Sequence, residues 1–212
     1  MPELSGLLGR IQREFADSQK KLKDFQEQQV VHHQEREQRL EKLEQVFNQL
    51  REVWRPRLEC LAKEFGDRAS IKPLVTRGLR CAAMEFNSPL AQIVLKFSAG
   101  TDSDVTRLVL ASDLDILPIL MQFDQHTEIS FPLDQIDSEA IAQWLDDRIV
   151  AFVKTYLSLH ENEYYLKGHM VEDPIAHVRF PKFAAGATRQ RNGKSVYFIS
   201  EEMALEFDKQ KS

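Results

Sequence analysis

His160 and Glu163 stand three residues apart in the run His160-Glu161-Asn162-Glu163-Tyr164-Tyr165. On a helix that spacing aims an imidazole and a carboxylate at one ion, as in di-metal carboxylate sites. Such sites draw further Glu and His residues from facing helices, and the short alternating segments upstream leave no room for that bundle. A helix end with a polar collar is the simpler reading. His32 and His33 are adjacent, about 100° apart on a helix, so they do not easily grip one ion together and read as a solvated pair. Cys60 and Cys81 fall in an apparent helix and an apparent strand and read as a reduced, buried pair. The chain has no nucleophile elbow, phosphate loop, paired-cysteine metal motif or dinucleotide fingerprint. Ser, His and Asp are present, but no spacing picks out a triad. The residues therefore point away from an enzyme and name no catalytic group, metal or cofactor, without disproving catalysis, because active sites assemble from distant positions.

The best-defined elements lie between Leu79 and Leu159. Asp137 or Ser138 is suited to cap a helix, and Glu139 places negative charge in its first turn. Ile141, Leu145, Ile149, Phe152, Tyr156 and Leu159 then mark one helical face, with Trp144 and Val153 on its flank and Asp146, Arg148 and Lys154 opposite. Upstream, period-two alternation predicts five strands. They are carried by Ala82/Met84/Phe86, Ile93/Leu95/Phe97, Leu108/Leu110, Ile119/Met121/Phe123 and Ile129/Phe131/Leu133. The breaks hold turn formers such as Asn87-Ser88-Pro89 and Gly100 to Asp104. Short connections favour an antiparallel meander, since a parallel crossover takes a dozen or more residues. The expected fold class is α+β, a curved five-stranded antiparallel sheet with one long helix across a face.

A net charge of −5 over 212 residues, with pI near 5.7, argues against nucleic-acid binding, which needs a basic surface. No run of eighteen apolar residues occurs, and Met1-Pro2-Glu3-Leu4-Ser5 lacks a basic start followed by a long apolar stretch. Neither a membrane span nor a secretory signal is expected, and a cytoplasmic location follows by default.

From Leu4 to about Trp54 the chain is rich in Gln, Glu, Lys and Arg, has no proline and has only Gly6 and Gly9, a composition that favours helix. Leu4, Leu8, Ile11, Phe15, Leu22 and Phe25 follow a heptad seam that Ser18 interrupts. The seam turns polar at Gln29, His32 and Arg36 and resumes at Leu40, Leu43, Phe47, Leu50 and Trp54, displaced by one position. A helix of about fifty residues would reach about 75 Å, too far for a small domain to cover. Homo-oligomerisation through that seam is expected, a monomeric arm or a fold-back around Val30 to His33 being the alternatives. Pro56 is read as a kink or a new start. After it Leu58, Leu61 and Phe65 continue helically to Gly66, placed for a left-handed cap. The division so predicted is an arm at 1–55, a short helix and linker at 56–78, the sheet-and-helix domain at 79–166 and a small module at 167–212.

That last module carries Asp173-Pro174-Ile175-Ala176-His177-Val178 and, later, Gly193-Lys194-Ser195-Val196-Tyr197-Phe198-Ile199-Ser200-Glu201-Glu202-Met203-Ala204-Leu205-Glu206-Phe207. Over roughly forty residues the two runs resemble the halves of a YHS domain, a hairpin-plus-helix unit related to treble-clef metal-binding modules. The resemblance implies that fold. The family's cysteine positions here hold Ala176, Ile199 and Met203, which do not supply a closed ligand set. An apolar centre of Phe180, Phe183, Val196, Phe198, Ile199, Met203 and Phe207 is expected instead. Lys182, Arg189 and Arg191 form a local basic strip, read either as a contact for an unknown protein partner or as the solvated edge of a hairpin. Two functional expectations result. One is a non-enzymatic assembly protein that presents a metal-free YHS-like module. The alternative is binding or turnover of an apolar small molecule between the sheet and the long helix, with Phe97, Met121, Phe123 and Trp144 as lining.

Overall fold

The computed structural model describes residues 3–209, with side chains from Gly6 onward. Helix α1 runs unbroken from Glu3 to Phe65, 63 residues, or about 95 Å of rod at about 1.5 Å per residue. The break expected at Pro56 does not occur. Pro56 lies on the solvent side of the rod, between the buried Trp54 and Leu58. There the carbonyl left without a donor one turn earlier can meet water, while the two buried side chains hold the axis. Nor does the rod fold back near Val30. Gly66 ends it with φ +55, the left-handed geometry expected of it.

The sheet that follows is an antiparallel meander of five strands, in the order β1 (Ala69–Thr76), β2 (Leu79–Asn87), β3 (Gln92–Thr101), β4 (Arg107–Leu117) and β5 (His126–Pro132). Four of these are the predicted strands. The fifth prediction, Ile119 to Phe123, is a loop. Pro118 has no N–H for a ladder, and the Tyr165 hydroxyl holds the segment out of the sheet, donating to the Pro118 carbonyl at 2.6 Å and accepting from the Leu120 amide at 3.0 Å. The strand that replaces it in number is β1, in a segment expected to be linker.

Helix α2 (Ser138–Leu159) starts as predicted, the Asp137 carboxylate accepting from the amides of Glu139 and Ala140 at 3.0 and 2.9 Å. Ile141, Leu145, Phe152, Tyr156 and Leu159 are buried. One expectation is corrected here: α2 does not roof the sheet alone. The second half of α1 lies on the same face and buries Leu40, Leu43, Val46, Phe47, Leu50, Trp54, Leu58, Leu61 and Phe65 in one core with β2, β3, β4 and α2. Phe65, Phe86, Phe152 and Tyr156 join the layers with ring centroids 4.5 to 6.4 Å apart. Because α1 packs beside α2, Asp146 is half-buried instead of solvated, and Arg148 is half-buried on the sheet side of α2 near Leu95, Leu114 and Thr127. Arg57 clamps Asp146 through Nε at 2.8 Å and Nη2 at 3.2 Å.

After a short helix α3 (Glu163–Leu166), the C-terminal unit comprises hairpin β6 (Met170–Glu172) and β7 (Arg179–Pro181), hairpin β8 (Ala187–Arg191) and β9 (Lys194–Phe198), and helix α4 (Glu201–Lys209). Its core is Ala187, Phe198, Ala204 and Phe207, with Ile175, Val196 and Met203 against it. Phe183 and Ile199, expected inside, are exposed. Phe183 turns instead to His160, edge-on at 5.6 Å. Cys60 is likewise exposed and Cys81 half-buried, both free thiols, so the expected buried pair is not formed. No helix is long and apolar enough to cross a membrane among the described residues.

Candidate functional site

Among the described residues, no side chain of α1 from Gly6 to residue 36 is buried in the chain. Leu8, Ile11, Phe15, Leu22 and Phe25 are 59, 44, 67, 59 and 57% exposed. Leu4 belongs to the helix, but its side chain lies outside the described residues. Large apolar side chains spaced along one exposed face are the usual mark of an interaction surface. This projecting half begins where the β1–β2 turn grips the rod. Arg77 meets Glu37 at 2.5 Å, the Gly78 amide donates to Glu44 at 3.0 Å, and Arg80 pairs with Glu44 while its guanidinium covers the Phe47 ring. Donation from Gly78, aided by Arg80 and opposed by burial, holds the Glu44 carboxyl below the usual carboxylate range. Gly78 itself has φ +76, which a bulkier residue adopts only with strain, so this glycine lets the turn close on the helix.

A second surface adjoins the grip. Between α1 and the edge strand β1 lies a groove of about 650 Å³ lined by Phe47, Leu50, Trp54, Leu58, Ile71 and Val75, among others. Its room comes from two small residues. Ala82 and Ala99 line it from core-facing strand positions where Met84, Leu95 and Phe97 stand nearby. Trp54, 8% exposed, has an indole N–H without an acceptor. Ile71, Pro73 and Val75 pair with Met84, Ala82 and Arg80 and so share the core face, yet no helix covers them.

The residues predicted to line an apolar pocket do not converge. Phe97 is fully buried between Trp54 and Trp144, its ring 6.3 and 6.4 Å from theirs. Met121 and Phe123 lie on the loop after β4, around an open hollow of about 550 Å³ with Ile119 and Gln122 to Gln125. Under α2 itself the space is only about 50 Å³. The groove beside α1 escaped sequence reasoning because β1 did. Its one sequence signal was the pair of alanines on otherwise bulky strand faces.

In the C-terminal unit each member of the basic strip has a partner within the chain. Arg189 bonds Glu201 and, at 3.1 Å, Asp208. Arg191 lies over Phe207, and Lys182 over Tyr197. The group that organises the unit is Asp173, fully buried. Its carboxylate accepts from the amides of Ile175 (2.8 Å), Ala176 (3.0 Å) and Ile199 (2.9 Å), tying the β6–β7 turn to the end of β9. Burial opposes the charge, but the three donors outweigh it and hold the carboxyl below its usual range. Gly186 seats the second hairpin: a Cβ there would stand 2.6 Å from the Ile199 carbonyl oxygen.

Lys96, Asp113, His126 and Glu128 line up across β3, β4 and β5 on the solvent side of the sheet. His160 places Nδ1 3.1 Å from the Tyr156 carbonyl, and Glu163 starts the next helix. No group of three or more His, Cys, Asp or Glu is placed to hold a metal ion among the described residues. Compared with known proteins, the chain matches no family model, no curated protein and no solved structure.

Proposed function

We propose that this protein is a non-enzymatic assembly protein that associates with itself through the projecting half of α1 and presents its C-terminal hairpin-plus-helix unit to a protein partner. The exposed seam from Leu8 to Phe25 carries the proposal. Each of its side chains is already about half covered by the helix. Completing their burial is worth about 1 kcal/mol apiece, half of the usual 1.5–3 kcal/mol. Two copies supply about ten such side chains, or about 10 kcal/mol, against an association cost of about 4–15 kcal/mol. At the low end of that cost about 6 kcal/mol remains, a dimer Kd of tens of micromolar. In the C-terminal unit, the bonds to Asp173 and the packing of Phe198 on Phe207 at 5.1 Å do what a metal does in YHS-like modules. The unit is read as a thiol-free relative of those modules, serving as a docking element.

Light scattering on the full chain at tens of micromolar tests the assembly. The native chain is expected at a multiple of its 24.6 kDa mass, and a Leu8→Gln, Ile11→Gln, Phe15→Gln, Leu22→Gln variant at the single-chain mass. A native chain at the single-chain mass defeats the proposal, and stoichiometric zinc retained through dialysis defeats the metal-free part.

The groove between α1 and β1 favours a second reading, in which it holds an apolar small acid. The walls are largely apolar, and Arg51 lines the groove for a carboxylate, Arg55 being paired with Glu59 at 2.7 Å. Dansyl-undecanoic acid is a suitable probe. Ala99→Leu, which fills the groove from its sheet side, is expected to abolish dansyl binding while the fold persists. Undiminished binding by that variant rejects this second reading.

A further inference from the structure

Leu22 and Leu58 lie 36 residues apart, as do Phe25 and Leu61, and Ile11 and Phe47. At about 3.6 residues per turn that interval is about ten turns, so each exposed member stands in line with a member buried on the sheet. The exposed seam and the sheet therefore occupy the same side of α1. A helix seated on the seam has its axis about 8–10 Å from α1, in the layer that the sheet fills from Leu40 onward.

This excludes a parallel pair of straight helices. The partner's rod, continuing past its own residue 40, would run through the first copy's sheet. A partner of opposite direction avoids the clash, because its sheet then lies toward the first copy's N-terminal end.

Resting on the self-association proposed above, we infer that two copies pair antiparallel about a twofold axis near Asp17, with Leu8 facing Phe25 of the second copy, Ile11 facing its Leu22, and Phe15 facing its Ser18. Two features of the sequence fit this register and no parallel one, and a third is compatible with it. Ser18, the one polar interruption of the seam, receives the bulky Phe15 ring. In a parallel pair Phe15 faces Phe15, and the hydroxyl faces itself. Flanking the seam, Glu14 comes beside Lys21 of the second copy, and the twofold repeats the pair. The opposite flank carries only Gln12, Gln19 and Gln26, so no like charges meet. A parallel pair sets Glu14 against Gln19 and Lys21 against Gln26, without complementarity.

Spin labels on the outer side of the rod read the arrangement directly. Asp17→Cys, Asp24→Cys and Val31→Cys are each placed in the full chain with Cys60→Ser and Cys81→Ser, and the distance between copies is measured by pulsed electron resonance. The axial separation is expected to be smallest at position 17 and to grow by about 21 Å for each step of seven residues, at about 1.5 Å per residue in each copy. Equal distances at the three positions overturn the antiparallel orientation and leave self-association standing. A minimum at position 24 or 31 overturns the register. Absence of any dipolar coupling overturns self-association itself. An independent check reverses charges: Glu14→Lys and Lys21→Glu are each expected to raise the dimer Kd a few-fold, and the double variant to restore it. Failure of the double variant to recover counts against the register.

Discussion

Asp173 is the side chain on which the C-terminal unit depends most. A buried carboxylate with three amide donors is stable only as the anion, and its carboxyl is held below the ordinary range. A group whose folded pKa is depressed contributes its stability above the unfolded value, about 3.9. That contribution is lost as pH falls through the folded value. Acid is therefore expected to release the Ile175, Ala176 and Ile199 amides together below about pH 4, visible as collective loss of their hydrogen-exchange protection. Asp173→Asn keeps the shape but loses the charge and one acceptor oxygen, and is expected to cost the unit about 1–3 kcal/mol at neutral pH. In the body, Asp102 is the counterpart. Burial opposes its charge, but the hydroxyl and amide of Thr106, the Arg107 amide and the Thr101 hydroxyl hold its carboxyl at about 2. Its contribution disappears between about pH 4 and pH 2, so acid loosens the β3–β4 loop over that window. Asp173 stands in plain view in the Asp-Pro run, but its third donor, Ile199, is 26 residues away. No local pattern announces a bond of that span, and for the same reason Ile199 reads as a core residue when only its amide faces inward.

Among the elements, α1 and β1 show how local signals mislead. Proline weakens a helix by about 3 kcal/mol in its interior, which is why Pro56 reads as a break. The tertiary contacts of Trp54 and Leu58 on one side and Leu61 and Phe65 beyond it outweigh that cost and keep the rod whole. Pro56→Ala, at an exposed site, restores the missing donor without disturbing packing. It is expected to raise unfolding stability by about 1–3 kcal/mol in urea, and no gain would mean that the carbonyl one turn earlier has already found a partner. Strand β1 fails for the opposite reason. Its residues are nearly all exposed, so burial imposes no alternation on Ser70 to Thr76, and Pro73 argues against a central strand. On an edge strand that objection lapses. Residues 119–123 alternate without being a strand, because Pro118 and Tyr165 decide their course. The total of five strands is thus legible while one member is misplaced, and the start and buried stripe of α2 are legible because capping and periodicity are local, although the sequence leaves the cap open between Asp137 and Ser138 and does not foresee the half-burial of Asp146 and Arg148.

At the scale of the whole molecule, α1 is two elements in one. Among the described residues, from Gly6 to about residue 36 it buries nothing within the chain, and from Leu40 it is a wall of the core. The sequence carried both stripes, and their shift by one position reads as either a local irregularity or two packing surfaces on one helix; on a straight rod it keeps the two surfaces on one side over ten turns. Two truncations separate the roles. Among the described residues 6–36 no side chain is buried, so after removal of residues 1–36 the remaining body is expected to melt cooperatively with a stability close to that of the full chain at low concentration. It loses only the concentration-dependent increment that association adds to the native state. Removing residues 1–48 also deletes Leu40, Leu43, Val46 and Phe47 from the core and Glu44 from the β1–β2 turn. At about 2–5 kcal/mol for each buried large side chain, the loss of four comes to about 8–20 kcal/mol, as large as the 5–15 kcal/mol that holds a typical domain together. That fragment is therefore expected to be unfolded, with Trp54 and Trp144 emitting as water-exposed indoles. A folded 49–212 fragment would show that the part of α1 before residue 49 is dispensable to the sheet. An unfolded 37–212 fragment would show that the projecting half stabilises its own subunit, which its exposed side chains leave no means of doing.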